Sequence, residues 1–139
     1  MRVGDQLAEL ELPIDSVHVF MFSAVTWNRH LIHYDQDQAR TEGHTSVVAQ
    51  RALIGNYFAR QLDGWLGERG ELRRLDWKVV SGAVPGDVLT CTGDVVAVDG
   101  ALVTFGQRLH NQDSVQVASA TAVAEIEPQG APDGSIDRN

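Results

Sequence analysis

Apolar positions change their period along this chain, and the change separates a mainly helical half from a half made of strands. Val3 to Pro13 alternates loosely around a Gly4-Asp5 turn and predicts an opening strand. Ile14-Asp15-Ser16 supplies an N-cap, after which Val17, Phe20, Met21, Ala24 and Val25 recur at helical spacing. Asp35 to Thr41 is polar and predicts a short helical turn, followed by a Glu42-Gly43-His44 loop. Ser46 is the candidate N-cap of the longest helix, Val47 to Leu66. Ala49, Ala52, Leu53, Asn56, Ala59, Leu62 and Leu66 fall near one stripe of it, and Gly64 and Gly67 loosen its end. The small residues in that stripe let another backbone approach closely.

From Glu71 the period becomes two. Leu72 to Ser81 alternates, and Val84-Pro85-Gly86-Asp87 supplies a turn. Val88 to Val98 is β-branched and ends at Asp99-Gly100, a two-residue hairpin signal. Ala101 to His110 alternates up to a second turn at Asn111-Gln112-Asp113, and Ser114 to Ile126 forms the last strand. One long helix followed by three or four long antiparallel strands gives an α+β domain over residues 1–127. The run from Pro128 to Asn139 lacks apolar mass and predicts a disordered tail.

Composition narrows the function more than the fold. A chain of 139 residues holds one proper core and not two. A net charge of −8 leaves no basic footprint for nucleic acid or an anionic membrane surface. No run approaches the roughly 18 apolar residues of a spanning helix. One cysteine, Cys91, excludes an intrachain disulfide framework and suits a reducing compartment, so the expected location is cytoplasmic.

The chemistry concentrates in Thr26-Trp-Asn-Arg-His-Leu-Ile-His-Tyr-Asp35, which holds two of the five histidines and an asparagine five places before the second. Histidine gains and loses a proton near neutrality, so His33 is the candidate base. His30 and His33 form an H-x-x-H pair, but zinc needs further ligands and only Asp35 and His44 lie near in sequence. No metal is expected, and His30 orders the loop instead. His18, His44 and His110 give no separate signal.

The order of elements resembles the hotdog fold, a curved antiparallel sheet wrapped around a long central helix. Within it, residues 3–126 resemble the MaoC-like enoyl-thioester hydratases and dehydratases. That family carries catalytic Asp and His five places apart after a short helix. Asn28-Arg-His-Leu-Ile-His33 keeps the spacing and the histidine, with Asn at the acid position, as in one branch of the family. Val48-Ala-Gln-Arg-Ala-Leu53 matches the string that opens the central helix, with Gln50-Arg51 in place of His-Gly, and Pro85-Gly-Asp87 precedes a long strand as in relatives.

The resemblance implies reversible hydration of a 2-enoyl thioester, or dehydration of a 3-hydroxyacyl thioester, without metal or redox cofactor. His33 would act as base and acid, and Asn28 would orient the water, because an amide does not titrate near neutrality. Gln50 and the Arg51 N–H would hold the thioester at the helix N-terminus. Trp27, Tyr34, Tyr57, Phe58 and Trp65 either line an acyl tunnel or belong to ordinary core and interface. A CoA thioester fits better than a carrier-protein thioester, since no basic patch for an acidic carrier stands out. Hotdog domains commonly pair side by side, so a homodimer or a heterodimer with another hotdog subunit is implied. Two alternatives stay open: a non-catalytic or half-catalytic subunit of a heteromeric hydratase, and an acyl-CoA thioesterase. The thioesterase is disfavoured because no Asp or Glu lies between Thr45 and Gln61.

Overall fold

In a computed structural model of the protein, residues 1–128 are described. The predicted tail therefore lies outside the described residues except for Pro128. The elements are β1 (Leu10–Pro13), α1 (Ser16–Thr26), a single 3₁₀ turn (Leu31–His33), α2 (Gln36–Thr41), α3 (Arg51–Leu66), β2 (Gly70–Val79), β3 (Val88–Asp99), β4 (Leu102–His110) and β5 (Gln116–Ile126). All pairings are antiparallel, in the order β1-β3-β4-β5-β2, so β1 and β2 are the edges. The sheet curls around α3, which is the hotdog arrangement.

Local chemistry sets most boundaries. The Asp15 side chain, rather than Ser16, caps α1 by accepting from the His18 N–H at 2.7 Å. Only Leu10–Pro13 of the opening segment is regular strand. Earlier residues still run beside β3, where the Gly4 and Leu7 N–H groups donate to the Val95 and Gly93 carbonyls at 2.8 Å. The β3–β4 hairpin turns on Gly100-Ala101, one residue later than Asp99-Gly100, because Asp99 still pairs with Leu102 and Gly100 takes the positive φ of +60°.

α3 starts four residues later than its apolar pattern suggests. The Val48 N–H donates to the Ile32 carbonyl (3.0 Å) and the Ala49 N–H to the Ala83 carbonyl (2.8 Å), which holds this stretch extended up to Gln50. The buried stripe is also rotated. Leu53, Ile54, Tyr57, Phe58, Gln61, Leu62 and Leu66 face the sheet, whereas Ala52 and Asn56 are exposed. Large apolar side chains gain more from burial than small ones, and they set the rotation. A small residue matters at one point: a Cβ on Gly55 would stand 2.5 Å from the Trp77 ring, so glycine lets the indole lie against the helix.

Two apolar clusters fill the space between helix and sheet, one around Phe58, Leu89 and Leu109 and one around Leu62, Leu66 and Phe105. α1 joins the first through Val19, with Ser23 also buried and Phe22 packed at the edge. Its predicted apolar row points the other way: Val17, Phe20, Met21 and Val25 are each more than half exposed. No helix among the described residues is long and apolar enough to cross a membrane.

Candidate active site

The Asn28–His33 segment is positioned by the way α1 ends. Trp27 adopts a left-handed conformation (φ 56°), uncommon for a residue with a side chain. The N–H groups of Trp27 and Asn28 both turn back to the Ser23 carbonyl. The Asn28 Oδ1 accepts from the His30 N–H at 3.3 Å, which leaves the Asn28 NH2 without a partner among the described residues. The 3₁₀ turn then carries His33 inward, and Asp35 caps α2 by accepting from the Gln38 N–H.

His33 is 7% exposed, and its Nδ1 lies 2.7 Å from the Val48 carbonyl oxygen. A carbonyl only accepts, so Nδ1 carries the proton and Nε2 keeps its lone pair. Burial pushes the imidazole pKa below its ordinary value. The Val48 hydrogen bond opposes this in part, and positive charge on His30 and His44 adds to it. The site favours a neutral ring with one basic nitrogen.

Asn28 and His33 line a cavity of about 560 Å³ together with His44, Ala49, Arg51 and Ser81. The first turn of α3 borders the same space. No side chain caps that helix, and the N–H groups of Arg51, Ala52 and Leu53 have no acceptor among the described residues. The positive end of the helix dipole adds to the pull on an anionic oxygen placed there. The Arg51 side chain is turned onto β2: its Nη2 donates to the Trp77 carbonyl (3.0 Å) and its guanidinium lies 4.7 Å over the indole. The Trp77 Nε1–H returns a bond to the Arg51 carbonyl at 2.9 Å. The Arg51 backbone, not its guanidinium, is thus presented at the helix start.

Gln50 is placed differently from its expected role beside the thioester. It is fully buried, and its Nε2 donates to the Val19 carbonyl (2.6 Å) and to Ser23 Oγ (2.7 Å). Its amide ties α1 to the start of α3, facing away from the cavity, because α1 docks where a ligand contact was expected. The aromatics divide as well. Tyr57 and Phe58 are core, Trp65 packs edge-on to Phe105, and Trp27 is exposed. Tyr34 meets Phe20 edge to face and borders a separate groove that also touches His33.

His30 stands edge to face with His33, the ring centroids 5.8 Å apart, and its Nε2 lies 3.2 Å from Glu42 Oε1. Among the described residues no three His, Cys, Asp or Glu side chains are grouped to hold a metal. His44, silent in the sequence, is the residue the fold adds to the cavity. Cys91 is fully buried and its thiol is pushed up to about 12, so it is chemically inert.

The sequence pattern of hydroxyacyl-thioester dehydratase type 2 matches residues 4–85, which include the His33 segment and the start of α3. The chain belongs to that family. No curated protein sequence matches it. Among solved structures, the chain is similar to the ChsH1–ChsH2 complex from Mycobacterium tuberculosis, with a TM-score of 0.85 and 21% identity, covering 91% of this chain and 98% of that one. It is similar to the (R)-hydratase from A. caviae involved in PHA biosynthesis, with a TM-score of 0.83 and 20% identity over 91% of this chain and 98% of that one. The R-hydratase PhaJ1 from Pseudomonas aeruginosa gives a TM-score of 0.83 and 21% identity over 93% and 84%. At these identities the likeness shows the fold, and the dehydratase family membership rests on the sequence match.

Proposed function

We propose that the protein adds water reversibly to a 2-enoyl thioester, or removes it from a 3-hydroxyacyl thioester, with CoA as the carrier. The observation that supports this most is the fixed tautomer of His33: Val48 holds the Nδ1 proton, so a basic Nε2 is left on a ring that lines the cavity. In hydration that nitrogen takes a proton from water as the water oxygen attacks C3. In dehydration the protonated ring returns it to the leaving hydroxyl. The free Asn28 NH2 holds the water or the 3-hydroxyl oxygen in line. The Arg51 N–H, with its neighbours in the first turn of α3, receives the thioester oxygen. Each such donor is worth about 3–4 kcal/mol where charge develops. Gln50 supports the site from behind by joining α1 to α3. Loss of enoyl absorbance from crotonyl-CoA and from longer enoyl-CoAs tests this, and an active His33→Ala variant would overturn it.

A second reading has specific support: the protein is one half of a pair of hotdog subunits, identical or different. The outward row of α1 (Val17, Phe20, Met21, Val25) and the nearby Trp27, Leu31 and Tyr34 form an exposed apolar surface of the kind that a partner covers. β2 is an edge strand with none of its residues fully buried. Asn28 also lacks the titrating function that an acid would bring. Activity seen only when a second hotdog subunit is co-expressed would favour the half-catalytic form. A thioesterase gains no support, since the first half of α3 carries no carboxylate and Asp63 is exposed near its end.

A further inference from the structure

Hydration moves two protons, one off water and one onto C2, and the Asn28 amide supplies neither. One other titratable side chain stands in the cavity ready for such work. His44 lines it with His33, is half-buried, and makes no side-chain hydrogen bond among the described residues. His30, by contrast, is engaged with Glu42. The place of His44 is fixed by the end of α2. The Gly43 N–H donates to the Arg40 carbonyl (3.0 Å) and the His44 N–H to the Ala39 carbonyl (2.9 Å), with Gly43 at φ +95°. This is a Schellman turn, and the residue two places past the cap is held by its backbone, which leaves the side chain free.

We propose that His44 is the second proton-transfer residue of the reaction: as imidazolium it delivers the proton to C2 while His33 removes one from the attacking water. The proposal rests on the hydratase reading above. In the hydration direction the water oxygen bonds to C3 and one of its protons moves to His33 Nε2. The C2–C3 π pair shifts toward C2 and the thioester oxygen, and C2 then takes the proton from His44. The turnover leaves His33 protonated and His44 neutral, and exchange with solvent returns both to their starting forms. Of the charged and titratable groups near His44, His33 and Arg51 line the same cavity, Glu42 is two residues away in the same loop, and His30 pairs with Glu42.

The test is a pH series of kcat and KM on crotonyl-CoA for the wild type, His44→Gln, His44→Ala and His33→Ala, with Tm measured alongside to check folding. Loss of a positioned acid is expected to lower kcat by about 100-fold. KM should change little, and the alkaline limb of the pH profile should disappear in both His44 variants. Added imidazole should restore part of the His44→Ala activity. A His44→Gln enzyme with near wild-type kcat and both limbs intact overturns the proposal, and so does a loss confined to KM. If the wild type is inactive, or His33→Ala is as active as the wild type, the hydratase reading itself fails. An unchanged His44 variant beside a dead His33→Ala sinks only the role of His44.

Discussion

At Gln61, in the last third of α3, polar groups are matched to one another, whereas at Arg51, where the helix begins, they are left open toward a cavity. The Gln61 Nε2 donates to the Ala8 and Cys91 carbonyls at 3.0 Å, and its Oε1 accepts from Gln107 Nε2 (2.9 Å) and Cys91 Sγ (3.2 Å). Gln107 also donates to the Phe58 carbonyl, so the knot ties helix, β3 and β4 together. Only the Gln107 Oε1 is left without a partner there. At the other end three backbone N–H groups, the Asn28 NH2 and the His33 Nε2 have no acceptor or donor among the described residues. Asn28, His33, Arg51 and Ala52 line the cavity, where water or a ligand can complete these groups, and the buried side-chain atom left unpaired beside them is Gln50 Oε1. The cleft beyond the end of α3 makes the same point by contrast. It holds about 660 Å³ but is lined by Glu68, Glu71, Arg73, Glu125 and Glu127, with no histidine.

Substitutions at the two ends should therefore separate activity from stability. The largest effect belongs to His33→Ala, which removes the basic nitrogen and is expected to reduce kcat by about 10²–10⁴-fold. Its far-UV circular dichroism should stay close to that of the wild type. At the closed end, Gln61→Leu removes the centre of the knot, leaving the Gln107 amide only its bond to the Phe58 carbonyl and taking the Gln61 donor from the Ala8 and Cys91 carbonyls. It should lower unfolding stability by about 1–3 kcal/mol in a denaturant titration. Activity per folded molecule should be unchanged, and a selective loss of kcat would erase the distinction between the ends. Asn28→Ala comes next. One neutral hydrogen bond to the water or hydroxyl is worth about 1 kcal/mol, so kcat/KM should fall by about fivefold, far less than for His33→Ala.

That Asn28 and His33 line one cavity was legible in the sequence because their relation is local, five residues spanning a helix end and a turn. The sequence carried the helix of α3 but not its start, since the Val48 and Ala49 hydrogen bonds that keep the chain extended go to Ile32 and Ala83. The direction of the Gln50 amide depends on where α1 docks, and no spacing encodes that. His44 was silent for a similar reason, as its place in the cavity follows from the α2 cap and not from a motif. In α1 the period predicted a helix correctly. It did not say which face meets the core, and Val19 and Ser23 turn inward while the longer apolar row faces out. The pairing of β2 with β5 instead of β3 is likewise set by wrapping the sheet around α3.

The smallest effect is on stability against pH, and it again distinguishes the open end. Burial lowers the folded-state pKa of His33 from the ordinary 6.5, with His30 and His44 adding to the shift against the Val48 bond. Below pH 6.5 the unfolded chain then binds a proton that the folded chain resists. The stability tied to neutral His33 is present in full above 6.5 and drains away as pH falls through the lowered folded value. Thermal melts of the wild type should therefore lose Tm below pH 6.5 more steeply than those of His33→Gln, which has no proton to bind. The same sign places the acid limb of kcat/KM below 6.5, because Nε2 stays basic until the folded ring is protonated. Parallel Tm curves for the two proteins, or an acid limb above the ordinary histidine value, would mean that burial does not set the proton on this ring.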